Sequence, residues 1–257
     1  MSPASKVSNS KPDAIVADRI VAHRGYPARF PDNSLAGIQA AIEAGAKYIE
    51  VDIQLTSDHV PVLFHDRDLQ RVCGTGGSVH QFSLSELGSL NAAEAVKFGK
   101  QFAGTSITRL DELCELLSQH PDLTVFVEIK RISIKHFGAD CVWQATLKQL
   151  SPISSQSIII SFNVEILALA QKAGWPVGVV LKQWPDRLKN SILELDPNYL
   201  FIDIDKLPQT GTSDCINAQL VAYDTVDPTI ARDMIKRGIS LVETFDICGM
   251  LTALRQK

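Results

Sequence analysis

With 257 residues, 45% of them apolar, the chain has ample material for one buried core, and it is the usual size of one α/β barrel, about 250 residues. A net charge of −4, from 25 basic and 29 acidic side chains, speaks against a nucleic-acid surface or an anionic-membrane patch. Five cysteines, an odd number without a pair at metal-ligand spacing, exclude a disulfide framework and suit reduced thiols in a cytosol.

The chain opens with MSPASKVSNSKPDAIVAD, a polar stretch lacking an apolar signal region. No run reaches the ~18 apolar residues of a membrane helix. Residues 1–16 are therefore expected to be a flexible tail, and residues 17–257 one soluble, cytoplasmic domain without stable membrane insertion.

Short β-branched runs then alternate with helical patterns. The predicted strands are Arg19–His23, Lys47–Leu55, Thr124–Lys130, Ser157–Ser161, Pro176–Leu181, Tyr199–Asp203, Gln219–Tyr223 and Ser240–Thr244. Helical periodicity marks Ser34–Ala44, Leu110–Leu117, Val164–Ala173, Pro185–Glu194 and Ile230–Lys236. Alternation of this kind implies parallel pairing through right-handed crossovers. One extra run, Val60–Phe64, follows Leu55 after only four residues. A parallel crossover needs about a dozen residues, so this run must return antiparallel. Counting outward from a turn near Asp58 places His65 opposite Val51, between Glu50 and Asp52. The eight remaining strands suffice to close a single (β/α)8 TIM barrel. An insertion at about 66–106 is expected over its mouth, with Ser83 and Glu86 spaced as a helix N-cap pair.

The chemistry concentrates at strand ends. Glu50 and Asp52 lie two apart on one strand and so face one way; Glu128 and Lys130 repeat the arrangement. Three carboxylates converging at a barrel mouth suit a hard divalent cation, Mg²⁺ or Ca²⁺. The alternatives are solvated edge carboxylates and a structural Glu128–Lys130 ion pair. His23 and Arg24 end the first strand, on the face where barrel active sites lie. An imidazole there can exchange a proton, and Arg24 can hold a phosphate with two hydrogen bonds. Gly25 permits a sharp departure from the strand. Phe162, Trp184 and Tyr223 follow or end later strands and are candidate pocket residues, equally suited to core packing. His59, His80, His120 and His136 read as solvated loop residues.

These residues form a familiar series. HRG, PDNS, AIEAGAKYIEVDIQLTSD and PVLFHD, followed by LQRVCGTGG, FSLSEL, ITRLDEL and VFVEIK, resemble the signature of glycerophosphodiester phosphodiesterases of the bacterial cytoplasmic type. With weaker matches in ISFN and LVAYDTVD, the resemblance covers about residues 19–257. It implies a TIM barrel that hydrolyses glycerophosphodiesters to sn-glycerol 3-phosphate and an alcohol, within lipid and glycerol metabolism. It implies Glu50, Asp52 and Glu128 as ligands of one Mg²⁺ or Ca²⁺, with Mn²⁺ an alternative. It further implies His23 and His65 as the acid–base pair, with Arg24 and Lys130 on the phosphate.

Four positions depart from the family pattern. Asp32-Asn33-Ser34 stands for Glu-Asn-Thr, and Thr108-Arg109-Leu110 for Pro-Thr-Leu. Tyr223 takes the place of a tryptophan, and Thr244-Phe245-Asp246-Ile247 replaces Thr-Asp-x-Pro. The alternatives are a lysophospholipase D-type diesterase on the same fold and a non-catalytic barrel that binds phosphodiesters. The partner expected in each enzymatic case is a small-molecule diester.

Overall fold

The structure, a computed structural model, describes residues 16–209 and 217–256. The expected tail lies outside the described residues except for Val16, which packs against the core. Nine strands form the sheet: β1 Ile20–His23, β2 Tyr48–Leu55, β3 Pro61–Leu63, β4 Thr124–Ile129, β5 Ser157–Ser161, β6 Val177–Val180, β7 Tyr199–Asp203, β8 Gln219–Tyr223 and β9 Leu241–Thr244. Their order is β1-β9-β8-β7-β6-β5-β4-β2-β3, and β1 also pairs with β2. That last pairing closes eight parallel strands into a (β/α)8 barrel, with β3 outside the ring.

β3 is the expected hairpin strand. Ile53 pairs with Leu63, Gln54 with Val62 and Leu55 with Pro61, all antiparallel. The Phe64 N–H donates to the Asp52 carbonyl at 2.9 Å, which carries the register on toward His65. The turn is held by Thr56, whose side chain bonds Asp58 at 2.6 Å and the Val60 N–H at 2.9 Å.

Period-two alternation sorts each barrel strand into two layers. Val21, Phe126, Ile158, Ile160, Val180, Phe201, Val221 and Leu241 fill the barrel interior. The intervening residues, such as Ile49, Val51, Ile53, Val125, Val127, Ile159 and Val242, pack outward against the helices. Residues in phase with the interior set but near strand C-termini run out of apolar partners and emerge at the mouth. His23, Glu50, Asp52, Glu128 and Glu243 are all in this phase.

The helices near the site are Leu35–Glu43, Leu110–Ser118, Val164–Lys172 and Pro228–Lys236, close to the predicted stretches. Ser34 caps the first of them, accepting from the Gly37 N–H at 3.2 Å. The predicted Pro185–Glu194 helix is instead a 3-10 turn, Trp184–Leu188, and a short helix, Asn190–Leu195. Lys189 between them has extended backbone, and Leu188 is 54% exposed, so no continuous apolar stripe exists to bury. Helices Arg131–Phe137 and Ala139–Leu150 were not among those predicted. His136 is exposed as expected but lies on the first of these helices rather than in a loop, and His80 is half-buried in a 3-10 turn, their rings 4.2 Å apart. The insertion folds as short pieces, including Gln70–Cys73 and Leu84–Leu87. The second is closed by the Ser83–Glu86 capping box. Val62, Phe64, Leu69, Val72, Val79 and Leu87 give the insertion its own small core, seated on β3.

Candidate active site

The C-terminal ends of the strands open into a cavity of about 410 Å³ lined by His23, Arg24, Glu50, His65, Glu128 and Lys130, with Phe162, Tyr223, Asp224 and Glu243 among the remaining walls. At its base Glu50, Asp52 and Glu128 each offer a carboxylate oxygen within 4.8 Å of the others. All three side chains are buried, Asp52 to 1% exposure. Three buried carboxylates with only two cations among them form a hard, oxygen-only donor set, which fits a divalent ion such as Mg²⁺ or Ca²⁺.

The cations are Lys130 and Arg24. Lys130 Nζ lies 2.9 Å from Glu128 and 3.1 Å from Asp52. Arg24 Nε lies 3.3 Å from Asp52, and its backbone N–H donates to Glu50 at 3.2 Å. Asn33 completes the Asp52 shell: its amide donates to Oδ2 at 2.9 Å, and its Oδ1 accepts the Asp52 N–H at 3.0 Å. The sharp turn out of β1 makes these contacts reachable. Arg24 and Gly25 have φ of 55° and 83°, and a Cβ on Gly25 would stand 2.9 Å from the Ile38 nitrogen. Asn33, at φ 58°, is among the residue types that tolerate this left-handed backbone.

These surroundings divide the carboxylates. Burial opposes the Asp52 charge, but Lys130 and Arg24, with Asn33, outweigh it and hold its carboxyl well below the usual range. Burial pushes Glu50 well above its usual value, and Asp52, Glu243 and Glu128 add to the rise. Burial likewise raises Glu128 against the pull of Lys130. Glu50 and Glu128 thus hold their protons to higher pH than an ordinary glutamate, and a bound cation would displace them.

Each histidine has a carboxylate at Nδ1. His23 Nδ1 lies 3.2 Å from Asp224 and 3.6 Å from Glu243, while its Nε2 faces Glu50 at 3.7 Å. Its ring stacks on Phe245 at 4.6 Å. Burial lowers the His23 pKa, partly opposed by the Asp224 bond, which favours a neutral ring. His65 Nδ1 lies 2.8 Å from Asp66 Oδ1. Burial works against the Asp66 charge, but His65 and Arg71 hold it well below the usual carboxylate range. An ionised carboxylate only accepts, so the Nδ1 proton points to Asp66 and Nε2 is the nitrogen left for chemistry.

The sequence-predicted set therefore converges on one cavity, except that Asp52 is buried beside Glu50 and Glu128 rather than exposed in its wall. Trp184 does not line it: the residue is packed among the outer core, with Arg187 over its ring at 4.2 Å. Phe162 and Tyr223 do line it. The shorter Asp32 still reaches a partner, accepting from Arg24 Nη1 at 3.1 Å. Sequence reasoning missed Asn33, Asp66, Arg71, Asp224 and Glu243. Asn33, Asp66, Arg71 and Asp224 lie within PDNS, PVLFHD, LQRVCGTGG and LVAYDTVD, which carry the family resemblance, and strand phase marks Glu243, two residues after the interior Leu241 as Glu128 sits after Phe126.

A model of the glycerophosphoryl diester phosphodiesterase family matches residues 23–205. A glycerophosphodiester phosphodiesterase of Caldanaerobacter subterraneus subsp. tengcongensis is 34% identical over 246 residues, covering 92% of this chain and 98% of that one. Glycerophosphodiester phosphodiesterase 1 of Homo sapiens is 27% identical over 248 residues, covering 89% of this chain and 73% of that one. Among solved structures, an Oleispira antarctica phosphodiesterase in complex with the product sn-glycerol-3-phosphate superposes with a TM-score of 0.83 at 26% identity, over 93% of this chain and 97% of that chain. By sequence, by fold and by the cavity at its barrel mouth, the chain belongs to the glycerophosphoryl diester phosphodiesterase family, a family of phosphoric diester hydrolases.

Proposed function

We propose that this protein hydrolyses glycerophosphodiesters to sn-glycerol 3-phosphate and an alcohol, with one divalent ion held by Glu50, Asp52 and Glu128. The observation that carries the proposal is the meeting of two histidines and two cations with Glu50 and Glu128 on one cavity, and of Asp52, buried beside them, with those two carboxylates. The product complex of the Oleispira antarctica phosphodiesterase supports the substrate class. Mg²⁺ and Ca²⁺ suit the donors best, and Mn²⁺ is compatible. When bound, the ion supplies Lewis acidity at the phosphate and acidifies a nearby hydroxyl.

The glycerol 2-hydroxyl is the nucleophile, since it already lies beside the phosphorus. His23, kept neutral by burial, takes its proton on Nε2 as the new P–O bond forms. The P–O bond to the alcohol breaks, and His65 Nε2 protonates the departing oxygen. In the second step His65 takes a proton from water, which opens the cyclic phosphate. His23 returns its proton to the 2-oxygen. Arg24 and Lys130 stabilise charge on the non-bridging oxygens.

A second reading, a lysophospholipase D-type diesterase, draws on a neighbouring cavity of about 450 Å³, where Pro27, Ala28, Val96 and Phe245 offer apolar surface beside Arg24. Comparing glycerophosphocholine with lysophosphatidylcholine as substrates decides between the two. No helix among the described residues is long and apolar enough to cross a membrane. Free cysteines 73, 114, 141 and 248 suit a reducing compartment such as the cytoplasm.

The test is an assay of chelator-stripped protein against a panel of glycerophosphodiesters, with Mg²⁺, Ca²⁺ and Mn²⁺ restored separately. Turnover should return with at least one ion and release sn-glycerol 3-phosphate. Silence with all three ions would refute the proposal.

A further inference from the structure

Arg71 lies in none of the roles above, yet it touches both arms of the site. It rides on the short Gln70–Cys73 helix of the insertion, with its side chain 41% exposed. Its Nε donates to Asp66 Oδ2 at 2.7 Å and its Nη2 to Asp66 Oδ1 at 3.1 Å, a bidentate pairing. Nη2 also reaches Asp32 at 3.0 Å, and Nη1 reaches Glu94 at 3.0 Å. Glu94 is 2% exposed, and its other oxygen accepts the Asp32 backbone N–H at 2.6 Å. One guanidinium therefore joins three carboxylates from three separate loops.

The consequences for the two arms differ. Arg24 contacts Asp32 and Asp52 directly and does not need Arg71 to hold it. Apart from His65 itself, Arg71 is the one cation paired with Asp66 among the described residues. Its Oδ1 is the atom that fixes His65 Nδ1, and that same oxygen accepts from Arg71 Nη2. Remove Arg71, and the Asp66 carboxylate keeps only His65 as a partner, near Asp32 and Glu94, while Gln54 still holds its backbone carbonyl. The His65 ring then loses the fixed anchor that aims its Nε2.

We propose that Arg71 is a positioning residue that locks Asp66 and, through it, orients His65 for protonation of the departing alcohol. The inference rests on the reading of His65 as the leaving-group acid. An alkyl alcohol leaves only as fast as its oxygen receives the His65 proton. A p-nitrophenolate leaves as the anion and takes no proton. Misaimed His65 therefore slows release of the first kind of leaving group and spares release of the second, while opening of the cyclic phosphate, where His65 takes a proton from water, slows alike for both. A merely structural role would slow both releases alike.

The experiment compares glycerophosphocholine with the p-nitrophenyl ester of glycerol 3-phosphate in the metal-loaded full-length protein. Arg71→Met should lower the single-turnover rate of choline release from glycerophosphocholine by about 10- to 100-fold, the range of outer-shell and general-acid losses. On the aryl ester the loss in single-turnover p-nitrophenolate release should stay within about threefold, because breaking that bond takes no proton from His65. Arg71→Lys should fall between, since an ammonium lacks the fork that grips both Asp66 oxygens. Asp66→Asn should reproduce the Arg71→Met split, and it carries the test if Arg71→Met fails to fold. His65→Ala is the control. If it shows the split and the Arg71 and Asp66 variants lose equally on both substrates, Arg71 does not position His65 and the proposal fails alone. If His65→Ala itself loses equally on both, the acid assignment fails and takes the proposal with it.

Discussion

Raising the pH of metal-free protein through the mildly acidic range should strengthen its affinity for a divalent cation, because binding must expel protons from the triad. Glu50 is raised well above the usual carboxyl value by burial and then by Asp52, Glu243 and Glu128. Burial raises Glu128 as well. Both therefore hold protons at pH values where a surface glutamate has lost them, whereas Asp52 is already ionised. A cation needs all three as carboxylates. Each proton expelled contributes a slope of about one decade of affinity per pH unit, about 1.4 kcal/mol. Two protons would give about a hundredfold per unit until the raised values are passed. Calorimetric titration with Mg²⁺ in buffers of different ionisation enthalpy counts the protons directly, and Glu50→Gln should remove one from the count and weaken binding. The same linkage sets a sign for stability. A carboxyl raised in the folded state stabilises the fold most below its unfolded value, and that stability is lost as pH rises through the folded value. Bound cation reverses the loss by stabilising the ionised triad. The gap in Tm between metal-loaded and stripped protein should therefore widen with pH. Binding that releases no protons anywhere between mildly acidic and neutral pH would refute this account of the triad.

Three substitutions probe the rest of the site. His23→Ala should lower kcat by about 10²- to 10⁴-fold while calorimetry finds Mg²⁺ binding largely retained. Asn33→Ala removes both bonds to Asp52 and forces alanine into left-handed backbone, which should cost about 2–4 kcal/mol in urea unfolding and weaken metal binding. Trp184→Ala should destabilise by about 3–5 kcal/mol, as core truncations of this size do, yet leave KM for glycerophosphodiesters unchanged, because Trp184 packs in the outer core.

The barrel was legible because its information is local. Each strand is a short apolar run of fixed phase, and the four-residue gap after Leu55 admits only a hairpin. The buried acidic triad was legible for the same reason: in YIEVDIQL and TVFVEI the carboxylates sit on the interior phase near a strand end. Where side-chain direction is set by a loop, the rule lapses. Phe162 immediately follows the end of β5, but Trp184 stands four residues beyond the end of β6, in the 3-10 turn Trp184–Leu188, and its ring packs in the outer core. Pro185–Glu194 shows the same limit for helices, since its apolar spacing is broken by an extended Lys189 that no local signal marks.

The least legible residues are those whose partners are farthest away in the chain. Asp224 meets His23 across 201 positions, and Arg71 meets Asp32 across 39. Neither has a strand phase to place it. Both nevertheless bear on residues that the strands do place: Asp224 on His23, and Arg71, through Asp66, on His65. The division follows from what each layer must do. Strand ends fix where a ligand or an imidazole stands, to within the pleat. Only a hydrogen bond at Nδ1 fixes which nitrogen faces the substrate, and in a barrel that bond comes from loops. Substitutions at Asp224 or Asp66 should therefore change the catalytic rate while the positions of the triad and the barrel strands stay as they are.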